Sequence, residues 1–153
     1  MTVSLLADAQ RAFLLLPRGG YLMTSRFESK RAGQFVGSVQ PCAEEPMLVC
    51  IAARKGHPIE PLIRDSHVFA VCRVDPDDKL LQRKFSCGNM REVGDPFDSF
   101  EIERLLTGAP ILKRCPLALD CQVIRHLDVE ADHELYIGQV VAGRVYAPRA
   151  QPA

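Results

Sequence analysis

Four consecutive residues, Arg54-Lys55-Gly56-His57, hold the densest chemical potential in the chain. They follow an apolar run, Met47 to Ala53, that reads as a strand. They precede Ile59, Leu62 and Ile63, which are spaced as one face of a helix, so the four sit where a strand ends and a helix begins. Two cations beside a glycine at such a junction suit a phosphate, because side-chain charge and the free N–H groups of a helix start converge there. An ordinary solvated turn would use the same residue types, and the local pattern leaves both readings open.

Other chemistries find less support. The four histidines (57, 67, 126, 133) are well separated, and the six cysteines form no CxxC, so no metal-ligand spacing is present. Four of those cysteines lie in apolar strand-like runs, where a reduced thiol behaves as a small hydrophobe. No GxGxxG follows the first strand and no GxxxxGK[ST] occurs, which removes the Rossmann and P-loop nucleotide sites. Lys+Arg and Asp+Glu both total 19, so no global field favours nucleic acid or an anionic membrane surface. The longest apolar runs fall far short of the ~20 residues of a spanning helix. With no secretory signal in view, a cytoplasmic location is expected.

The elements that would position the cationic loop can be read in order. An apolar stripe (Leu5, Leu6, Ala9, Ala12, Phe13, Leu16) predicts an amphipathic helix over Leu5 to Leu16, stopped by Pro17 and Gly19-Gly20. Strands are expected at Tyr21 to Phe27, Gly33 to Val39 and Met47 to Ala53, with turns at Glu28-Ser29-Lys30 and Glu44-Glu45-Pro46. A helix follows over His57 to His67, then a strand, Val68 to Val74, apolar enough to be buried on both faces. Asp75 to Asp78 supplies a turn and an N-cap for a helix over Leu80 to Phe85. Cys87 to Leu112, punctuated by Gly88, Gly94, Pro96, Gly108 and Pro110, reads as a long loop with a helical hint at Phe100 to Leu106. Ala118 to Asp128 and Glu134 to Tyr146 make the clearest hairpin. At least six strands with antiparallel connections, too many for three short helices to cover, predict one mainly β domain over residues 1–153, a closed or nearly closed β-barrel.

The segments AGQFVGSVQPCAEEPMLVCIA, RKGH, LIRDSHVFAV, LLQRKFS, TGAPIL and ALDCQVIRHLDVEADHELYIGQVVA, in that order, resemble the flavin reductase-like, FMN-binding split-barrel family. The resemblance implies a small Greek-key split barrel of about six strands with a few short flanking helices, a homodimer with flavin at its interface, FMN or alternatively FAD, and NAD(P)H as electron donor. It implies that Gln34 to Gln40 lies along the flavin ring and ribityl chain, with Gln34 and the amides of Val36, Gly37 and Ser38 as contacts. Arg54, Lys55, Gly56 and His57 would take the phosphate, Phe85 would neighbour the flavin, and His133 would sit near its reactive face. Asp132-His133 matches the family's GDH motif with Ala131 replacing the glycine. The chain departs from the pattern at Gln40-Pro41-Cys42-Ala43, where relatives carry a TSVS-like run, and at Cys72, where they often carry Asn. A monooxygenase or electron-transfer protein would be the partner of a reductase of this kind. The alternative is a non-catalytic flavin-binding or electron-carrier protein of the same fold; His67 and His126 are read as surface residues.

Overall fold

The structure, a computed structural model, describes residues 2–86 and 94–146. Helix α1 (Thr2–Leu14) is followed by strands β1 (Tyr21–Phe27), β2 (Lys30–Val36), β3 (Val39–Glu44) and β4 (Met47–Arg54), helix α2 (Ile59–Ser66), strand β5 (Val68–Arg73) and helix α3 (Lys79–Lys84). A 3-10 turn (Pro96–Ser99), the short pair β6 (Ile102–Glu103) and β7 (Ile111–Leu112), and the long hairpin β8 (Leu117–Asp128) and β9 (His133–Val145) follow. Among the described residues, no helix is long and apolar enough to cross a membrane.

Seven strands form one antiparallel sheet in the order β2-β1-β5-β8-β9-β4-β3. Its two edges, β2 and β3, are consecutive in the chain and meet at the exposed bend Gly37-Ser38. Among the described residues no ladder closes this seam. A side chain spans it instead: Gln34 Nε2 on β2 donates to the Arg54 carbonyl on β4 at 3.0 Å. The mainly β split barrel expected from the sequence is therefore present, with seven strands in its sheet where about six were expected and with its hydrogen-bonded seam open.

Alternation along the central strands builds two cores. On β1 and β5, Leu22, Ala70 and Cys72 point into one, while Met23, Phe69 and Val71 point into the other, so β5 is buried on both faces as its composition predicts. The inner core adds Val36, Val49, Ile51, Cys121 and Tyr136 from the curled sheet, closed by Ile59 and Ile63 of α2. The outer core takes Leu81 from α3, Phe85 from the cap that ends it, Phe97 from the 3-10 turn, and Ile111 and Leu112 from β7. Gly138 on β9 makes room for the Phe69 ring: a Cβ there would lie 2.8 Å from Cε1.

Local signals explain the helix ends. Asp78 caps α3 by accepting from the Leu81 N–H at 3.2 Å and also binds Arg114 at 2.6 and 2.8 Å. His67 ends α2 in the left-handed region at φ 62°. Two expectations are corrected. The single run Gly33 to Val39 is broken at Gly37-Ser38 into the end of β2 and the start of β3, which adds a strand. Phe100 to Leu106 is not helical: Phe100 is extended, and Ile102–Glu103 pairs antiparallel with Ile111–Leu112. That pairing competes successfully because the connection is pinned. Gly108 adopts φ 85°, and the buried Asp120 carboxylate accepts from both the Thr107 N–H and its hydroxyl. Residues 94–112 are thus tied down, contrary to the loose loop expected; Cys87 and Gly88 lie outside the described residues.

Candidate functional site

Strand register brings the cationic loop to the tip of the last hairpin. β4 and β9 pair so that Arg54 stands opposite His133, and the Lys55 N–H donates to the Asp132 carbonyl at 3.0 Å. Gln34 joins them through its bond to the Arg54 carbonyl. Residues distant in sequence, Gln34, Arg54 to His57 and His133, thus share one end of the barrel. Gln34 is buried, and its Oε1 has no hydrogen-bond partner among the described residues. Turning the amide over would set Oε1 against the Arg54 carbonyl, so the side chain keeps one unmet acceptor suited to an N–H or O–H donor.

The charges of this loop are already engaged. Arg54, 67% exposed, approaches Asp132 Oδ2 at a loose 3.6 Å, whereas Lys55 Nζ lies 2.5 Å from Asp128 Oδ1. Gly56 occupies φ 86°, a conformation that favours glycine, and its N–H donates to Glu60 Oε2 at 2.9 Å. His57 Nδ1 accepts from the Ile59 N–H at 3.1 Å, so the imidazole caps α2, and burial lowers its pKa and favours the neutral ring. His133 Nδ1 lies 3.0 Å from Asp132 Oδ1. The hydrogen bond from Lys55 holds the Asp128 carboxyl below the ordinary range, and that from His133 does the same for Asp132. Two cations therefore stand among three carboxylates, and Arg54 is the less committed of the two.

Beneath the tip, Glu134 is buried and satisfied by the Tyr136 hydroxyl and by His126 Nε2 at 3.0 Å. The His126 ring stacks on Tyr136 at 4.7 Å. His126 is half exposed, as a strand-surface residue should be, yet it helps to anchor the segment that carries Asp128, Asp132 and His133. Sequence reasoning missed Asp128 and Glu60, whose partners are set by sheet register and by a glycine conformation. Asp132 was visible only through its place before His133.

The bend of the seam supplies a second surface. Val36 has its side chain in the inner core, while Gly37 and Ser38 are exposed. The Gly37 carbonyl accepts from the Gly19 N–H at 3.0 Å. An added Cβ at Gly37 would meet nothing nearer than Arg18 Cδ at 3.7 Å, so the space over the bend is open. The segment is held to β4 at both ends, by Gln34 to the Arg54 carbonyl and by Val39 opposite Ile51. Phe85 is not part of this assembly. It packs on Gly33, the neighbour of Gln34 that points to the opposite face of β2, and its ring contacts Phe97 at 4.9 Å and Phe100 at 5.9 Å in the outer core. Strand alternation places it on the face of β2 opposite Gln34.

Comparison with known proteins places this geometry among relatives. A family described as Flavin reductase like domain matches residues 13–152. The chain is 23% identical over 136 residues to a ferric-chelate reductase (NAD(P)H) of Archaeoglobus fulgidus, covering 88% of this chain and 79% of that protein. The fold is shared with the NADH:FAD oxidoreductase SgcE6 of Streptomyces globisporus, at a TM-score of 0.78 and 22% identity over 92% of this chain and 82% of that one. It is shared also with the styrene monooxygenase flavin reductase of Pseudomonas putida, at a TM-score of 0.75 and 21% identity over 89% and 84% of the two chains.

Proposed function

The chain belongs to the flavin reductase like domain family, and on that premise we propose that it is an NAD(P)H-dependent flavin reductase that holds FMN at the seam bend and the cationic loop, in a homodimer. The observation that carries the reading is the convergence of Gln34, Arg54 and His133 through strand register. The residues fit a flavin nucleotide in three respects. The bend at Gly37-Ser38 is open to a flat ring, Gln34 keeps an unmet buried acceptor, and Arg54 is a loosely paired cation within the same end of the barrel.

The bound flavin supplies the redox chemistry by accepting a hydride, so the protein needs no catalytic triad. Its residues bind and orient. Arg54 neutralises phosphate, with Lys55, the Gly56 amide and His57 supporting the loop around it. Asp132 orients the His133 ring, and it is the carboxylate that a phosphate displaces from Arg54. With Nδ1 turned to Asp132, His133 has Nε2 to offer to the nicotinamide or to the reduced flavin.

Steady-state oxidation of NADH and NADPH with added FMN tests the proposal, and turnover with at least one donor is the expected result. A second reading, a flavin carrier without nicotinamide oxidation, draws on the engaged charges of the loop and on Gln40-Pro41-Cys42. Bound flavin without turnover by either donor would replace the first reading by the second. A colourless protein that leaves FMN fluorescence unquenched would overturn both.

A further inference from the structure

Helix α1 stands apart from the barrel: every residue from Ser4 to Gly20 is exposed. At 100° per residue, Leu5, Leu6, Ala9 and Phe13 fall within about 100° of arc and make one apolar face. Leu5, Leu6 and Phe13 on this face are 71%, 64% and 61% exposed. Asp8 and Arg11, the helix's charged residues, pair with each other away from it. A helix of 13 residues is marginal in water without tertiary packing, and among the described residues only Arg18 lies over this face, at the Phe13 ring, so the face needs further cover.

We propose that α1 packs antiparallel against α1 of a second copy, about a two-fold axis through Ala9. This rests on the homodimer reading above and names one of its contacts. An antiparallel two-fold at Ala9 sets Leu5 against Phe13 of the partner subunit and Leu6 against Ala12 of the partner subunit, so each large side chain meets a complementary one. Ala9 meets its own copy, where its small side chain lets the helix axes approach closely. A hollow of about 470 Å³ beside it, lined by Ala9, Gln10, Phe13 and Leu14, has room for a leucine from the other helix. No residue of the helix places a charge on the face; Arg18, from the segment after the helix, lies over the Phe13 ring at 5.6 Å, and the two-fold sets the two Arg18 copies at opposite ends of the contact. A membrane is the poorer occupant, because helices that lie on lipid carry a cationic polar face and the lone Arg11 is neutralised by Asp8. The face is small beside the roughly 800 Å² per partner of a standard interface, so α1 forms a part of the contact and the barrel supplies the remainder.

The test combines cross-linking with sedimentation on the full chain. Ala9→Cys should give a disulfide-linked dimer under mild oxidation where the wild type gives none, since facing Cα atoms of closely packed helices lie within disulfide reach. Leu6→Glu should weaken dimerisation at least tenfold, while Ala7→Glu on the back of the helix leaves it unchanged. All three positions are exposed, and an unaltered melting temperature of the monomeric barrel confirms folding. A wild-type dimer in which Ala9→Cys does not cross-link, or in which Leu6→Glu dimerises normally, overturns the helix pairing and leaves the homodimer standing. A monomeric wild type at micromolar concentration with flavin present overturns both.

Discussion

Arg54→Ala is expected to weaken FMN binding while leaving riboflavin nearly untouched, because the two ligands differ only in the phosphate. A charge-assisted contact contributes about 1.5–3 kcal/mol where it is well shielded. Arg54 is 67% exposed and its existing partner, Asp132, stands 3.6 Å away, so solvent screening brings the expected loss to about 1 kcal/mol, or about fivefold in Kd. The same argument fixes the sign of a second change. Asp132→Asn removes the competing carboxylate and should tighten FMN severalfold with no gain for riboflavin. Lys55→Ala should matter less than Arg54→Ala, since its ammonium is held 2.5 Å from Asp128. Titration of flavin fluorescence at low and high salt reads all of these, and the FMN preference should shrink as salt rises. Equal losses for FMN and riboflavin in Arg54→Ala would refute the phosphate assignment.

Three further outcomes are expected. His133→Ala should slow flavin reduction by NAD(P)H about tenfold in stopped-flow traces and flatten its pH dependence near neutrality, with FMN still bound; an unaltered rate and pH profile would remove the residue from the site. His57 must keep Nδ1 unprotonated to cap α2, and burial sets its folded pKa below the ordinary 6.5, so its stabilisation is complete above that value and is lost as pH falls through the lower folded value. Urea unfolding at pH 7.5 and 5.5 should show this difference in the wild type and a smaller one in His57→Gln. Gly138→Ala should lower stability by about 1–3 kcal/mol in thermal melts, since the new methyl collides with the Phe69 ring in the inner core.

Much of the fold was legible because the strands that matter most carry their environment in their composition. The run VFAVCR is apolar at successive positions, and β5 is buried on both faces; Asp78 stands one residue before a helix and caps it. Where the reading failed, long-range pairing outweighed local propensity. The segment near Ile102 has helix-forming residues, yet it pairs with Ile111–Leu112 because Asp120, on another strand, holds Thr107 in place. Nothing near Ile102 announces that carboxylate. The bend at Gly37-Ser38 is similar: the residues on either side favour strand, and only the sheet order, which sends β2 and β3 to opposite edges, requires β2 to end and β3 to begin there.

The candidate site divides along the same line. Arg54, Lys55, Gly56 and His57 are contiguous, so their shared chemistry could be read directly, but the carboxylates that oppose them arrive from the β8–β9 tip and from α2. On the proposed phosphate assignment, binding at this loop is an exchange rather than an addition: a phosphate must compete with Asp132 and Asp128 for cations that the folded chain has already paired. Because both pairs are exposed, that competition involves small energies that salt can tilt. The ratio of FMN to riboflavin affinity, with its salt dependence, measures how far the exchange favours the nucleotide.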